Sequence, residues 1–205
     1  AYVIYGGDLP EEMTLDMADV VLTGESAADK GGRMVRIVHD VNDDDDADLL
    51  VAAPSADPSG DASGKVYINF GGGISGSLSD ADVIFSGDYG YNYAGLGLAG
   101  GDFNEDGDGD VLIGAPGNDL GGSNRGTVYV IYGPIVSGAM DAGDVSDAIT
   151  GQANSDEIGG VIASADLNGD GADDVLIGAP DNSEGGTDAG SVYVVYGPVT
   201  GVMSL

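Results

Sequence analysis

Asp102-Phe103-Asn104-Glu105-Asp106-Gly107-Asp108-Gly109-Asp110 runs straight into Val111-Leu112-Ile113-Gly114-Ala115-Pro116, an acidic loop that becomes an apolar strand without a break. The same fifteen-residue pattern occurs twice more without internal gaps. It runs from Asp40 to Pro54 as DVNDDDDADLLVAAP and from Asp166 to Pro180 as DLNGDGADDVLIGAP, at offsets of 62 and 64 residues. Self-similarity at a fixed period identifies a repeat architecture, and the content of one repeat then decides the fold.

Two further markers keep the same beat. AYVIYG from Ala1, VYINFG from Val66, VYVIYG from Val128 and VYVVYG from Val192 are short, β-branched and aromatic, and each ends at Gly, as strands do. DVVLTG ending at Gly24, DVIFSG ending at Gly87 and DAITG ending at Gly151 precede each acidic segment. One unit therefore reads as a small-residue strand such as 161–165, the acidic loop, a strand such as 175–178, a Gly-rich connection, the V-Y-V strand, and the D-x-I-x-G strand. Four short antiparallel strands per repeat, with turn signals between them, make a β-propeller blade. The fold class is all-β.

The strand count divides the chain into 1–24, the last two strands of one blade, then 25–87 and 88–151, each a full blade with its acidic loop. Residues 152–205 form a third blade whose outer strand is missing. Three blades are too few to close a ring, since propellers use about four to eight. Joining the ends would duplicate the V-Y-V strand, so the expected setting is part of a larger propeller or repeat array. The one stretch with helical character, Pro10 to Ala18, is expected to be a connection or a single turn. Most of the 38 glycines serve turns, whereas the runs at Gly95–Gly101 and at Gly159-Gly160 suit inner strands crowded around a propeller axis.

The acidic loops alternate ligand and spacer as calcium loops do. Counting Asp166 as position 1, Asp166, Asn168, Asp170 and Asp174 fill positions 1, 3, 5 and 9, the carbonyl of Ala172 at position 7 adds a backbone oxygen, and Gly171 at position 6 permits the turn. The second loop supplies Asp102, Asn104, Asp106, the Asp108 carbonyl and Asp110. The first supplies Asp40, Asn42, Asp44, the Asp46 carbonyl and Asp48. Asp45 replaces Gly at position 6 of the first loop, where a left-handed backbone costs energy, so that loop is expected to be the weakest. Where an EF-hand carries a bidentate Glu at position 12, Ile177 stands here and a strand follows, so position 9 closes the shell. Three carboxylates about 4 Å apart repel by about 1 kcal/mol per pair in water and about 4 kcal/mol at an effective dielectric near 20. Such a cluster calls for a cation. Up to three Ca²⁺ ions are expected, Mg²⁺ being less suited because it keeps several waters in a strict octahedron.

Charge bounds the partners. Thirty-six acidic residues against five basic ones give a net charge of −31, which disfavours nucleic acid and anionic membranes. Asp16, Asp19, Asp80, Asp82, Asp141, Asp144 and Asp147 lie outside the loops. Their repulsion acts over about 8 Å at physiological salt and only about 3 Å at molar salt, so a halophilic microbial source is expected. Without cysteine there are neither disulfides nor thiol catalysis. No 18-residue apolar span is present, so this segment is not expected to insert in a membrane.

The combination of Gly114-Ala115-Pro116 and Gly178-Ala179-Pro180, the D-x-N-x-D-G loops and the V-Y-V-x-Y-G strand resembles the FG-GAP repeat of integrin alpha subunits and of many microbial surface proteins. The likeness covers nearly the whole chain. Ala94-Gly95 and Ile158-Gly159 depart from the FG dipeptide, Ala52-Ala53-Pro54 departs from GAP, and the first FG position falls around Gly31 and Gly32. The resemblance implies a seven-bladed propeller with calcium loops on one face and adhesion or partner binding on the other, in an extracellular or cell-surface setting.

No catalytic constellation can be assembled. His39, the only histidine, abuts the first loop without a second member to orient it, and Arg125 reads as part of a solvated turn. Tyr2, Tyr5, Tyr67, Tyr129, Tyr132, Tyr193 and Tyr196 alternate within strands and are expected to pack between blades. The expected role is therefore a non-enzymatic, calcium-stabilised structural or adhesive module presenting a face to a protein or cell-surface ligand, or to neighbouring copies of itself. The alternatives are a noncatalytic propeller region of a larger secreted hydrolase, or a subunit of a surface filament or viral appendage.

Overall fold

The computed structural model describes residues 1–7, 12, 14–74 and 76–205. It begins with a two-stranded ribbon, β1 (Tyr2–Val3) and β2 (Val20–Val21). β3 (Met34–Val38), β4 (Asp48–Ala53), β5 (Lys65–Asn69) and β6 (Val83–Ser86) follow as the first sheet. The second sheet contains β7 (Gly97–Gly101), β8 (Asp110–Ala115) and β9 (Thr127–Ile131). After β10 (Gly138–Asp141), the chain returns to this second sheet as β11 (Asp147–Thr150). The last sheet holds β12 (Ile162–Ala165), β13 (Asp174–Ala179) and β14 (Ser191–Val195), and β15 (Val202–Ser204) ends the chain's regular structure. A single 3-10 turn at Leu15–Met17 is the regular element within the stretch 10–18, of which Pro10, Glu11 and Met13 lie outside the described residues.

Four antiparallel strands per full blade are present, as the repeat predicts. Val66 pairs with Phe85 and Ala52 in the first sheet, and Val128 with Ile149 and Gly114 in the second. The structure adds a fifth. β10 leaves the second blade to run parallel along β6 of the first, with Met140 opposite Phe85, and β15 does the same along β11, with Met203 opposite Ile149. Before the first sheet the exchange shrinks to a parallel bridge between Thr23 and Ser77. Each blade thus lends the connection between its third and fourth strands to the outer edge of the blade before it.

The sheets stack face to face, and the period-2 alternation of each strand divides its residues between two cores. Val111, Ile113, Ala115 and Tyr129 pack on Leu50, Ala52, Ile68 and Phe85 of the first sheet. Ala99, Leu112, Val128 and Ile149 on the opposite side pack on Ile162, Val175, Ile177 and Ala179. This is why β8 reads as a continuous apolar run: all six of its residues are buried. Where no sheet follows, the same pattern stands open. Val192 and Val194 are 71% and 43% exposed, whereas their counterparts Val128 and Val130 are 0% and 2% exposed.

The tyrosines split accordingly. Tyr67 and Tyr129 are buried between sheets and Tyr132 and Tyr193 are partly buried, but Tyr2, Tyr5 and Tyr196 are exposed because they lie on or beside the strands of the open faces. The ambiguous first FG position is settled by geometry. Gly32 donates its N–H to the Ala52 carbonyl at 2.9 Å with φ +86°, matching Gly95, which donates to Gly114 at 2.9 Å with φ +93°. The motif's glycine supplies a left-handed residue where the chain enters a blade, a conformation that a Cβ penalises.

Candidate functional site

Each acidic loop joins the first and second strands of a blade, and the three share one hydrogen-bonded plan. The position 1 carboxylate gathers backbone N–H groups. Asp102 accepts from Glu105 and Asp106 on Oδ1 and from Gly107 on Oδ2, at 2.7, 3.2 and 3.0 Å. Asp166 accepts from Gly169, Asp170 and Gly171 at 2.6, 3.2 and 3.2 Å. Asp40 takes Asn42, Asp44 and Asp45 at 3.1, 3.1 and 2.5 Å. Desolvation is the largest single influence and opposes these donors, but the N–H groups together outweigh it and hold the Asp40 carboxyl below its usual range.

The position 3 side chain is tied to position 5. Asn42, Asn104 and Asn168 donate from Nδ2 to Asp44, Asp106 and Asp170 at 2.8, 2.7 and 2.8 Å. The position 5 carboxylates in turn accept the N–H of position 7, from Asp46, Asp108 and Ala172, at 2.9, 2.9 and 3.1 Å. Positions 4 and 6 are left-handed in all three loops. At position 6 Asp45, Gly107 and Gly171 have φ of +71°, +93° and +108°, and at position 4 Asp43, Glu105 and Gly169 have +65°, +65° and +79°. The non-glycine Asp45 carries there the strain that its sequence position implies.

Position 9 has a further task that sequence reasoning misses. Asp48, Asp110 and Asp174 are buried, and both oxygens of each accept backbone N–H groups. One oxygen takes position 2 of its own loop, from Val41, Phe103 and Leu167, at 2.6, 2.7 and 2.9 Å. The other takes the glycine that closes the V-Y-V strand, Gly71, Gly133 and Gly197, at 2.8, 2.9 and 2.9 Å. Those glycines also make room for position 7: a Cβ on Gly197 would stand 2.6 Å from the Cβ of Ala172. Their recurrence at one place in every repeat is the signal available in the sequence. Burial, assisted by the charges of Asp106 and Asp102, pushes the Asp110 carboxyl up to about 6 against the pull of Gly133 and Phe103. Burial also raises Asp48.

Positions 1, 3 and 5 are therefore drawn together in each loop, while position 9 is anchored toward the sheet. Among the described residues, no three acidic or histidine side chains converge into a metal shell by themselves. The donor set is mixed instead: two outer carboxylates, an amide oxygen, a backbone carbonyl and the buried carboxylate, all hard oxygens of the kind Ca²⁺ accepts. In the first loop Asn42 Oδ1 is buried and lacks a hydrogen-bond partner. Its counterparts Asn104 Oδ1 and Asn168 Oδ1 accept from Asp106 and Asp170 at 3.0 and 2.8 Å. A buried oxygen left without a donor is costly, and a cation removes that cost. By donor chemistry the residues fit the ion.

Adjacent loops touch. Gly109 N–H meets the Asp40 carbonyl at 2.9 Å, and Asp173 N–H meets the Asp102 carbonyl at 2.8 Å. A cleft of about 530 Å³ lies between the first two loops, lined among others by Asp43, Asp45, Asp46 and Asp108, with His39 at its edge. His39 is exposed there. Burial and the neighbouring Asp106, Asp43, Asp40 and Asp102 raise the Asp108 carboxyl. Arg125 donates from Nε to Asn154 Oδ1 at 3.3 Å, linking two connections on the side away from the acidic loops.

A stacked all-β array whose blades each open on an acidic hairpin loop defines a β-propeller repeat protein. The model of the FG-GAP repeat matches residues 35–69, 94–131 and 159–195, together just over half of the chain, and the protein belongs to that family. Each match runs through the first three strands of a blade and contains its acidic loop. The chain is similar to phosphatidylinositol-glycan-specific phospholipase D of Rattus norvegicus, 39% identical over 121 residues that make up 55% of this chain and 14% of the relative. The Homo sapiens phospholipase D of the same name is 32% identical over 167 residues, 77% of this chain and 19% of the relative. Integrin alpha-PS2 of Drosophila melanogaster is 37% identical over 109 residues, 51% of this chain and 7% of the relative. The chain thus spans less than a fifth of the length of each of these proteins.

Proposed function

We propose that this chain is a calcium-stabilised, noncatalytic propeller region of a larger extracellular or cell-surface protein, whose rigid face away from the metal loops presents a binding surface to a protein or cell-surface ligand. The observation that carries the metal reading is the buried, unpartnered Asn42 Oδ1 of the first loop, in a cradle that shares with the other two loops the bond from position 3 Nδ2 to the position 5 carboxylate. Asp40, Asn42, Asp44, Asp46 through its carbonyl and Asp48 would hold one ion, and the corresponding residues of the other loops the second and third. The bound ion would supply two positive charges against the loop carboxylates. The protein's own residues do the rest: position 1 folds the loop around its oxygens, and position 9 ties the loop to the third strand.

The open apolar face of the last sheet, with Val192 and Val194 uncovered, supports a longer blade array. Similarity to an integrin alpha chain supports the adhesive reading. Similarity to phospholipases D specific for phosphatidylinositol glycans supports the second reading, a propeller region accompanying a hydrolase domain at a glycolipid-bearing surface.

The test is removal of the metal. Chelation at high salt should lower the melting temperature sharply, because each ion bound only by the native state adds RT ln(1 + [L]/Kd) of stability. Asp170→Ala should reduce the calcium bound at saturation by one ion per chain. An unchanged melting temperature on chelation, or an unchanged ion count in the variant, overturns the metal reading.

A further inference from the structure

Position 8 of each loop lies against position 1 of the loop before it, and the two junctions differ. At the first, Gly109 offers only its N–H to the Asp40 carbonyl, and a Cβ there would crowd the carbonyl oxygens of Asp40 and His39. At the second, Asp173 donates its N–H to the Asp102 carbonyl at 2.8 Å and also receives the Asp102 N–H on Oδ2 at 3.0 Å. The peptide groups on both sides of Asp102 are thereby held from the neighbouring blade. The carboxylate fits because Gly101 stands where the first junction has His39; a Cβ on Gly101 would lie 2.5 Å from Asp173 Oδ2. Asp173 is also the immediate chain neighbour of Asp174, the buried anchor of the third loop.

We propose that Asp173 is a positioning residue that fixes Asp102, the first ligand of the second loop, from within the third loop, so that these two loops take up calcium as a coupled pair. The inference rests on the calcium reading above. Ordering of the third loop around its ion sets the Asp173 backbone and side chain. These set Asp102, whose carboxylate then pays less conformational entropy when it meets a second ion. Coupling between sites is reciprocal, so an ion in the second loop favours the third equally. The first junction, with its single backbone bond, transmits less.

Calcium isotherms by equilibrium dialysis at fixed high salt test this on the full chain with Asp44→Ala, which disables the first loop and leaves two ions. The two-ion isotherm should be steeper than independent sites allow. Adding Asp170→Ala should leave one ion bound with about tenfold lower affinity, within the range typical of coupling between sites. In an Asp173→Gly background, which copies the first junction, the isotherm should lose its steepness, and Asp170→Ala should no longer affect the remaining ion. Asp173→Asn, which keeps an acceptor for the Asp102 N–H, should retain part of the coupling and serves if the glycine variant folds poorly. A merely structural role for Asp173 would alter melting and leave the coupling intact. Equal effects of Asp170→Ala with and without Asp173 therefore overturn the proposal while the calcium reading stands. Absence of calcium uptake by the unaltered chain overturns both.

Discussion

Asp110, at the end of the second acidic loop, accepts the backbone N–H of Gly133 at 2.9 Å across 23 residues of chain, binding a candidate metal loop to the end of the third strand of its blade. Its other oxygen holds Phe103 N–H at 2.7 Å, and the carboxylate is fully buried. Asp110→Ala therefore leaves the buried Phe103 N–H and the part-buried Gly133 N–H without acceptors, each costing about 1–3 kcal/mol where water cannot replace the carboxylate. Chemical denaturation in chelator should show a loss of about 2–6 kcal/mol, the sum expected for two such groups. Asp110→Asn, which retains one acceptor, should lose less. Because the measurement excludes metal, a loss confined to calcium-containing buffer would show that Asp110 acts only through the ion.

Tyr67 and Tyr129 occupy matching places in successive blades but have unequal partners. Asn118 donates to the Tyr129 hydroxyl at 3.0 Å, with its own oxygen held by Thr127 and Leu120. In the preceding blade Ala56, Pro58 and Lys65 stand in place of Asn118, Leu120 and Thr127, and the buried Tyr67 hydroxyl lacks a hydrogen-bond partner. Burial, then the nearby Glu25 carboxylate, pushes its ionisation well up. Tyr129→Phe should destabilise by about 1 kcal/mol, whereas Tyr67→Phe should be neutral or stabilising by a similar amount. Paired denaturant midpoints decide the matter, and equal losses in the two variants would contradict this account.

β8 is legible in the sequence because both its faces are buried, so Val111-Leu112-Ile113 needs no alternation to mark it as a strand. The loop plan is legible because position 1 reaches positions 3 to 6 locally. The parallel fifth strand is not: Gly138-Ala139-Met140-Asp141 has no β-branched residue, and its partner Val83–Ser86 belongs to another blade. Its only trace is a weak recurrence among Ile74-Ser75-Gly76, Val136-Ser137-Gly138 and Val199-Thr200-Gly201. The anchoring of Asp110 to Gly133 and of Asp102 to Asp173 likewise joins residues that only the assembled sheets bring together.

Asp45 offers a gain. It holds φ +71° at a position where the other two loops use glycine, and the left-handed region costs an L-residue roughly 1–2 kcal/mol. Asp45→Gly removes that strain from the folded loop, while the added freedom of glycine in the unfolded chain offsets about 0.4–1 kcal/mol of the gain. The folded chain should therefore gain up to about 1 kcal/mol of stability, read as a shift of the denaturant midpoint in chelator. A lower midpoint in the variant would mean that the Asp45 side chain contributes more to the folded loop than its backbone strain withholds.

Salt should control stability even when calcium is saturating. Five basic residues face 36 acidic ones, and among the described residues the one ion pair is Lys65 with Glu25 at 2.7 Å. Three bound ions would offset six of the 31 excess negative charges and leave the net strongly negative. Asp43, Asp45, Asp46 and Asp108 line a single cleft, within reach of one another at the roughly 8 Å screening length of physiological salt and largely screened at the roughly 3 Å of molar salt. We expect the melting temperature to fall steadily on dialysis from molar to low potassium chloride with calcium held constant. Asp43→Asn and Asp108→Asn together should flatten that dependence, since they remove two charges from the cleft and leave the loop hydrogen bonds in place. Full stability at low salt would sink the link between this acidic surface and a saline setting.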